Sequence, residues 1–239
     1  MREIKDYGID ISIPLEFDRP QPNAFGVAPA TAKSLGDTRK GSSVNYQQIT
    51  LAPHCNGTHT ECVGHITNER FSLLDCPPRV LVSAELISVE PERISNDDFV
   101  ITPEILQKAI KTSADALVVR TLPNDNSKLT RRYDGENIPP YFTTDAMRFI
   151  RGRWFTHLLV DLPSIDRIFD DGRLLNHRIF WNMPRGSRAI DSDTRIGNTI
   201  TELIYVPNEV EDGEYLLNLQ IAPFESDAAP SRPILIKRA

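Results

Sequence analysis

The chain has 239 residues, 40% hydrophobic and 25% charged, with a net charge of −6 and an isoelectric point near 5.4. That length and balance suit a single globular domain over residues 1–239, and the acidic surplus excludes the basic footprint that nucleic acid requires. No apolar run approaches the roughly 18 residues of a membrane span, and the opening Met1-Arg2-Glu3-Ile4-Lys5-Asp6-Tyr7 lacks the apolar core of a secretion signal.

Residues 10–15 start as a strand and stop at Pro14. Residues 16–43 are rich in Pro, Gly, Ala and Ser without a period, the mark of a long functional or mobile loop. Residues 45–53 read as a strand leading into a histidine-rich segment, and residues 79–89 as another strand. Thr102-Pro103-Glu104 is a helix start: a capping hydroxyl, a proline in the first turn, then an acid at the positive end. Ile105, Leu106, Ala109 and Ile110 continue at helical spacing to about Thr112. Residues 115–121 form a buried strand and residues 123–140 a loop. A second helix runs from Thr143-Thr144 to Gly152, followed by a strand at 154–162. Two more strands, 198–206 and 214–222, are joined by a turn at Glu211-Asp212-Gly213, and 233–237 adds a last one. The order implies an α/β chain with a mixed sheet, few helices and at least one strand–helix–strand crossover.

Three of the five histidines fall between residues 54 and 65. His59 and Glu61 are two apart, so on an extended strand they share a face, along with position 55 and Gly57. His65 lies four further on, close enough to curl back. Two imidazoles and a carboxylate on one face suit zinc or a similar divalent ion. Glu202 sits in the apolar run Ile200 to Val206, where a carboxylate must be paired or bound to metal. His177 precedes Ile179-Phe180-Trp181, while His157 and Cys76 read as structural. Three cysteines, Cys55, Cys62 and Cys76, without a secretion signal, point to free thiols in the cytoplasm. The sequon Asn56-Gly57-Thr58 is then a chance match. Cys55 or Cys62 with His59 or His65 could also make a thiol nucleophile.

These residues resemble the cyclase-like metal-dependent hydrolases, a family that includes kynurenine formamidases and isatin hydrolases. The family signature, His-x-Gly-Thr-His-x-Asp-x-Pro-x-His, is met by Gly57-Thr58-His59-x-Glu61-x-x-x-His65. Val44-Asn45 and Ile49 to His54 resemble its lead-in strand, Asp161-Leu162-Pro163-Ser164-Ile165-Asp166 resembles its Asp-x-Pro-Ser-x-Asp turn, and His177 and Glu202 match its downstream ligands. The resemblance implies a swivelling β/β/α fold, usually in homodimers or larger assemblies. It implies that His59, Glu61, His177 and Glu202 hold one or two ions, zinc first and manganese second, and that His65 transfers the proton.

Three departures stand out. The first ligand is out of register: His54 is five before His59 and Cys55 four before, so either a bulge brings His54 in or Cys55 is the ligand. Glu61 replaces an aspartate and Val63 a proline. The expected activity is hydrolysis of a small-molecule amide, arylformamidase-like as in tryptophan catabolism, or of a lactam or lactone. Phe25 is the nearest candidate for substrate packing. A catalytically silent metal- or ligand-binding protein on the same scaffold is the alternative.

Overall fold

The computed structural model describes residues 8–77, 81–135 and 138–237. Its main strands are β1 (Ile9–Asp10), β2 (Thr31–Gly36), β3 (Tyr46–Thr50), β4 (His59–Glu61), β5 (Val82–Val89), β6 (Ala116–Thr121), β7 (His157–Val160), β8 (Thr199–Glu202), β9 (Gly213–Ile221) and β10 (Ala228–Lys237). Its helices are α1 (Pro103–Ala109), α2 (Thr144–Gly152) and α3 (Leu175–Phe180). No helix among the described residues is long and apolar enough to cross a membrane.

The anticipated mixed sheet closes on itself. Strands pair in the order β10-β9-β5-β6-β7-β8-β4, and β4 pairs back onto β10 to complete a seven-stranded barrel, with β1 attached to the outer part of β10. The pairs β5–β6, β6–β7 and β7–β8 are parallel and the rest of the ring is antiparallel. Helices α1, α2 and α3 lie in the three crossovers between parallel strands, as parallel pairs require.

The parallel strands read as continuous apolar runs because both of their faces are covered. Leu117, Val119, Leu158 and Val160 face the helices, packing with Leu106, Met147 and Ile150. Ala116, Val118 and Leu159 face the opposite way, with Leu86, Tyr215, Leu217 and Leu235. One sheet thus serves two cores.

Several elements differ from the expectation, each for a local reason. The long stretch 16–43 contains β2, which forms a hairpin with β3. The lead-in strand ends at Thr50, because Cys55 and Asn56 donate their amides to the Ala52 carbonyl and wind the chain into a turn. The strand expected at 198–206 stops at Glu202, because Leu203 turns to a left-handed φ of 54°. Helix α3 was not anticipated. The last strand is longer than expected: pairing with β9 and β4 carries it through Pro230 and Pro233, although proline usually argues against a strand interior. Residues 79 and 80 of the expected 79–89 strand, and the first seven residues, lie outside the described residues.

Candidate metal and catalytic centre

The site grows from the shortest strand of the barrel. Strand β4 lies between β8 and β10, with His59 opposite Glu202 and Glu61 opposite Ala228. Alternation puts His59 and Glu61 on one side of β4, and cross-strand pairing brings Glu202 to them. Two glycines flank the strand. At Gly57 (φ +76°) a Cβ would come 2.8 Å from the Leu15 side chain, so the close approach there is internal packing. At Gly64 a Cβ would come 1.8 Å from the Phe71 carbonyl oxygen. Only glycine fits, and the 3₁₀ turn Val63–Ile66 that carries His65 is pressed onto that carbonyl.

The turn at residues 52–56 decides where His54 goes. Residue 54 is not on an extended strand, so the alternation argument that placed Cys55 on the ligand face does not apply. His54 reaches the cluster, with Nδ1 3.1 Å from Glu61 Oε2 and Nε2 2.8 Å from Asp227 Oδ2. Cys55 lines the adjoining cavity but belongs to neither group of side chains spaced to share an ion; those groups are His54, Glu61, His65 and His59, Glu61, Glu202.

His177 arrives from α3. Asp166 accepts the backbone amides of Asn176 and His177 at 2.8 and 3.2 Å, which caps the helix, and its Oδ2 lies 2.6 Å from His177 Nδ1. That bond turns His177 Nε2 toward Glu61 Oε1, 2.9 Å away. Glu202 is anchored by the Ile165 amide at 2.9 Å and sits 3.6 Å from His59 Nε2 and 3.8 Å from His177 Nε2. His65 Nδ1 is 3.3 Å from Asp227 Oδ2, and its Nε2 is 3.9 Å from Glu61 Oε2. Sequence reasoning missed Asp227 and gave Asp166 no role, yet these carboxylates orient three of the histidines.

The electrostatics are those of two buried acids neutralised by histidines alone. His59, Glu61, His177 and Glu202 are at most 4% exposed, and among the described residues only histidines form ion pairs with the two glutamates. Burial and the Glu61 charge push the Glu202 carboxyl well above its usual range. Burial also acts on Glu61, but His65, His177 and His54 outweigh it and hold that carboxyl well below. Burial and the nearby His54 charge lower His59 to about 4. For His54 the bonds to Asp227 and Glu61 overcome burial and raise it to about 10. His59 Nδ1 is 3.1 Å from the Gly57 carbonyl, while Nε2 is buried without a hydrogen-bond partner. Orphaned buried polar atoms are rare. An unpartnered imidazole nitrogen facing two buried glutamates is a donor set that fits a divalent cation.

In front of the cluster lies a cavity of about 490 Å³, lined in part by Phe25, Cys55, Ser164, Arg167, Phe169 and Leu174. Phe25, named from the sequence, meets Phe169 edge to face at 6.2 Å. Neither candidate thiol is favourably placed as a nucleophile: burial and Glu202 raise Cys55, while Cys62 packs with Leu73 and Ala229 outside the cavity. His157 bonds Thr199 Oγ1 at 2.7 Å.

The Cyclase family profile matches residues 9–167. The chain belongs to the cyclase family. His54, His59, Glu61 and His65 lie within the matched region, and His177 and Glu202 lie beyond it. A kynurenine formamidase from Bacillus thuringiensis (strain Al Hakam) is 26% identical over 230 residues, covering 95% of this chain and 96% of that protein. Among solved structures, isatin hydrolase A from Labrenzia aggregata bound to benzyl benzoate superposes with a TM-score of 0.65 at 15% identity, covering 96% and 93% of the two chains. A predicted metal-dependent hydrolase from Bacillus stearothermophilus gives 0.64 at 16% identity over 95% and 96%. These likenesses extend the family's fold across nearly the whole chain.

Proposed function

We propose that this protein is a metal-dependent hydrolase that cleaves an amide bond, of arylformamidase type (N-formylkynurenine-like) or in a related lactam or lactone. The observation that carries this reading is His59 Nε2, buried without a partner beside Glu61 and Glu202. His54, His59, Glu61, His177 and Glu202 would hold the ion, zinc in the first instance and manganese in the second. When bound, such an ion polarises a carbonyl and makes a water acidic enough to attack near neutral pH.

The remaining work falls to the chain's own groups. His65 Nδ1 is held by Asp227 Oδ2 at 3.3 Å, so the ring turns Nε2 toward Glu61, 3.9 Å away, at the cavity wall. There it takes a proton from the attacking water and passes it to the leaving nitrogen. Asp227 and Asp166 fix the rings of His54, His65 and His177, as outer carboxylates do around ligand histidines. Phe25, Phe169 and Leu174 exclude water from one side of the substrate.

The test is to strip the protein with chelator, reload it with zinc or manganese, and measure bound metal and formanilide hydrolysis in wild type and His65→Ala. About one equivalent or more of ion should bind to both, and the variant should lose about 100-fold or more in rate. Less than a tenth of an equivalent bound, or full activity in the variant, sinks the reading.

A further inference from the structure

The chemistry above leaves one side chain of the cavity wall without a task. Two other ionic groups of that wall, besides the cluster itself, are satisfied locally. Asp170 accepts the amides of Arg173 and Leu174 at 3.1 and 2.6 Å. Asp171 pairs with Arg173 at 3.2 Å. Arg167 is held differently. Its Nε donates to Asp98 Oδ2 at 2.8 Å and its Nη2 reaches Asp98 Oδ1 at 3.5 Å. Asp98 is 6% exposed, is not part of the cavity lining, and is itself fixed by the Tyr141 hydroxyl at 3.0 Å and Asn96 at 2.9 Å.

The guanidinium is therefore braced from behind by a carboxylate that the cavity does not see. The brace occupies the Nε side of the fork. On the other side, Nη1 has only a long 3.5 Å contact to the Ile168 carbonyl. A fixed fork with an underused edge is the geometry in which arginine recognises a carboxylate, and its ordering cost is already met. The same cavity that holds this fork and the histidines is lined by the apolar side chains Phe25, Phe169 and Leu174, with the acids Asp170 and Asp171 engaged by Arg173 and by backbone amides.

We propose that Arg167 is the specificity residue for an anionic group on the substrate, so that the enzyme's substrate class is amides or lactams bearing a carboxylate. The apolar middle of such a substrate lies along Phe25 and Phe169, with the carboxylate on Arg167 Nη1 and the scissile bond at the histidine cluster. This assignment rests on the amide-hydrolase reading and narrows it. An arginine is needed because a lysine cannot keep the Asp98 brace and offer a second, parallel edge.

The experiment uses the metal-loaded full chain with formanilide and the ortho, meta and para formamidobenzoates, in wild type, Arg167→Gln and Arg167→Lys. In wild type at least one formamidobenzoate should exceed formanilide in kcat/KM by about tenfold, the scale of one charged hydrogen bond. Arg167→Gln should collapse that ratio by about tenfold, chiefly through KM, and Arg167→Lys should recover part of it. A ratio near one in wild type, or an equal ratio in wild type and Arg167→Gln, overturns the proposal. Benzoate binding by calorimetry gives an arm independent of turnover, and Arg167→Gln should weaken it. If no formamide is hydrolysed, the amide-hydrolase reading falls. Benzoate bound equally by wild type and variant then removes Arg167, whereas weakened binding keeps it as an anion site.

Discussion

Compared side by side, two of the buried polar clusters among the described residues are built on opposite plans. At the end of β6, Lys128 Nζ donates to Asp161 Oδ2 at 2.8 Å and to the Thr121 carbonyl and hydroxyl at 2.6 and 2.9 Å. Asp161 in turn accepts the Thr121 amide and hydroxyl at 2.9 and 3.0 Å. One cation meets one anion, and the hydrogen bonds close. Around β4 two glutamates are buried among histidines, one imidazole nitrogen has no partner, and no lysine or arginine among the described residues pairs with either acid. Both clusters incur desolvation. The first balances it with a lysine and closed hydrogen bonds, whereas the second balances it only with histidines, whose charge is labile near neutral pH. We read the first as architecture and the second as a candidate binding site.

The sharpest way to break this contrast is to remove one charge from each cluster. Lys128→Met leaves Asp161 buried without its cation and should cost about 3–5 kcal/mol in denaturant unfolding, with metal content unaffected. Glu202→Gln should do the reverse. Burial and Glu61 already favour the protonated carboxyl there, so an amide suits the metal-free protein, and its denaturation midpoint should hold or rise while metal affinity falls. If both variants destabilise the metal-free protein alike, the two clusters are one kind of feature.

A smaller effect is expected from Asp227→Asn, which keeps the shape and weakens the hold on His54 and His65. Metal affinity and kcat should fall by about 10–100-fold, the range for carboxylates behind ligand histidines, with the unfolding midpoint unchanged. An unaltered kcat would leave Asp227 with a packing role only.

The smallest effect is a slope with pH. In the metal-free protein, bonds to Asp227 and Glu61 outweigh burial and keep His54 protonated up to about pH 10. An ion that takes His54 Nδ1 must displace that proton, so binding releases a proton at neutral pH and affinity rises with pH. The expected gain is about tenfold per pH unit for each proton released. Competition titrations between about pH 6.5 and 8 measure it, and a flat or falling affinity would exclude His54 as a ligand.

The sequence made the candidate ligands of residues 54–65 legible because they cluster within twelve positions and resemble a family signature, and the resemblance alone pointed to His177 and Glu202. It left two things hidden. His54 and Cys55 could not be separated by counting, since the deciding fact is the turn closed by the Ala52 carbonyl rather than a strand face. Asp227 carried no local signal. It precedes a strand whose first half is masked by Pro230, and it meets His54 only because β10 pairs with β4 across more than 160 residues of chain. The same holds for the fold: apolar runs announced β5 to β7, but barrel closure depends on a three-residue strand with polar residues throughout.

That strand has a consequence for how the molecule assembles. Strand β4 pairs with β8 on one side and β10 on the other, so the ring is joined where the proposed ion ligands lie. An ion bridging His59, Glu61 and Glu202 would therefore act as a clasp on the seam, tying the first third of the chain to its last fifth. Ion loading and completion of the barrel would then be coupled, and a half-built chain would hold no complete ligand set before the walls around it are in place.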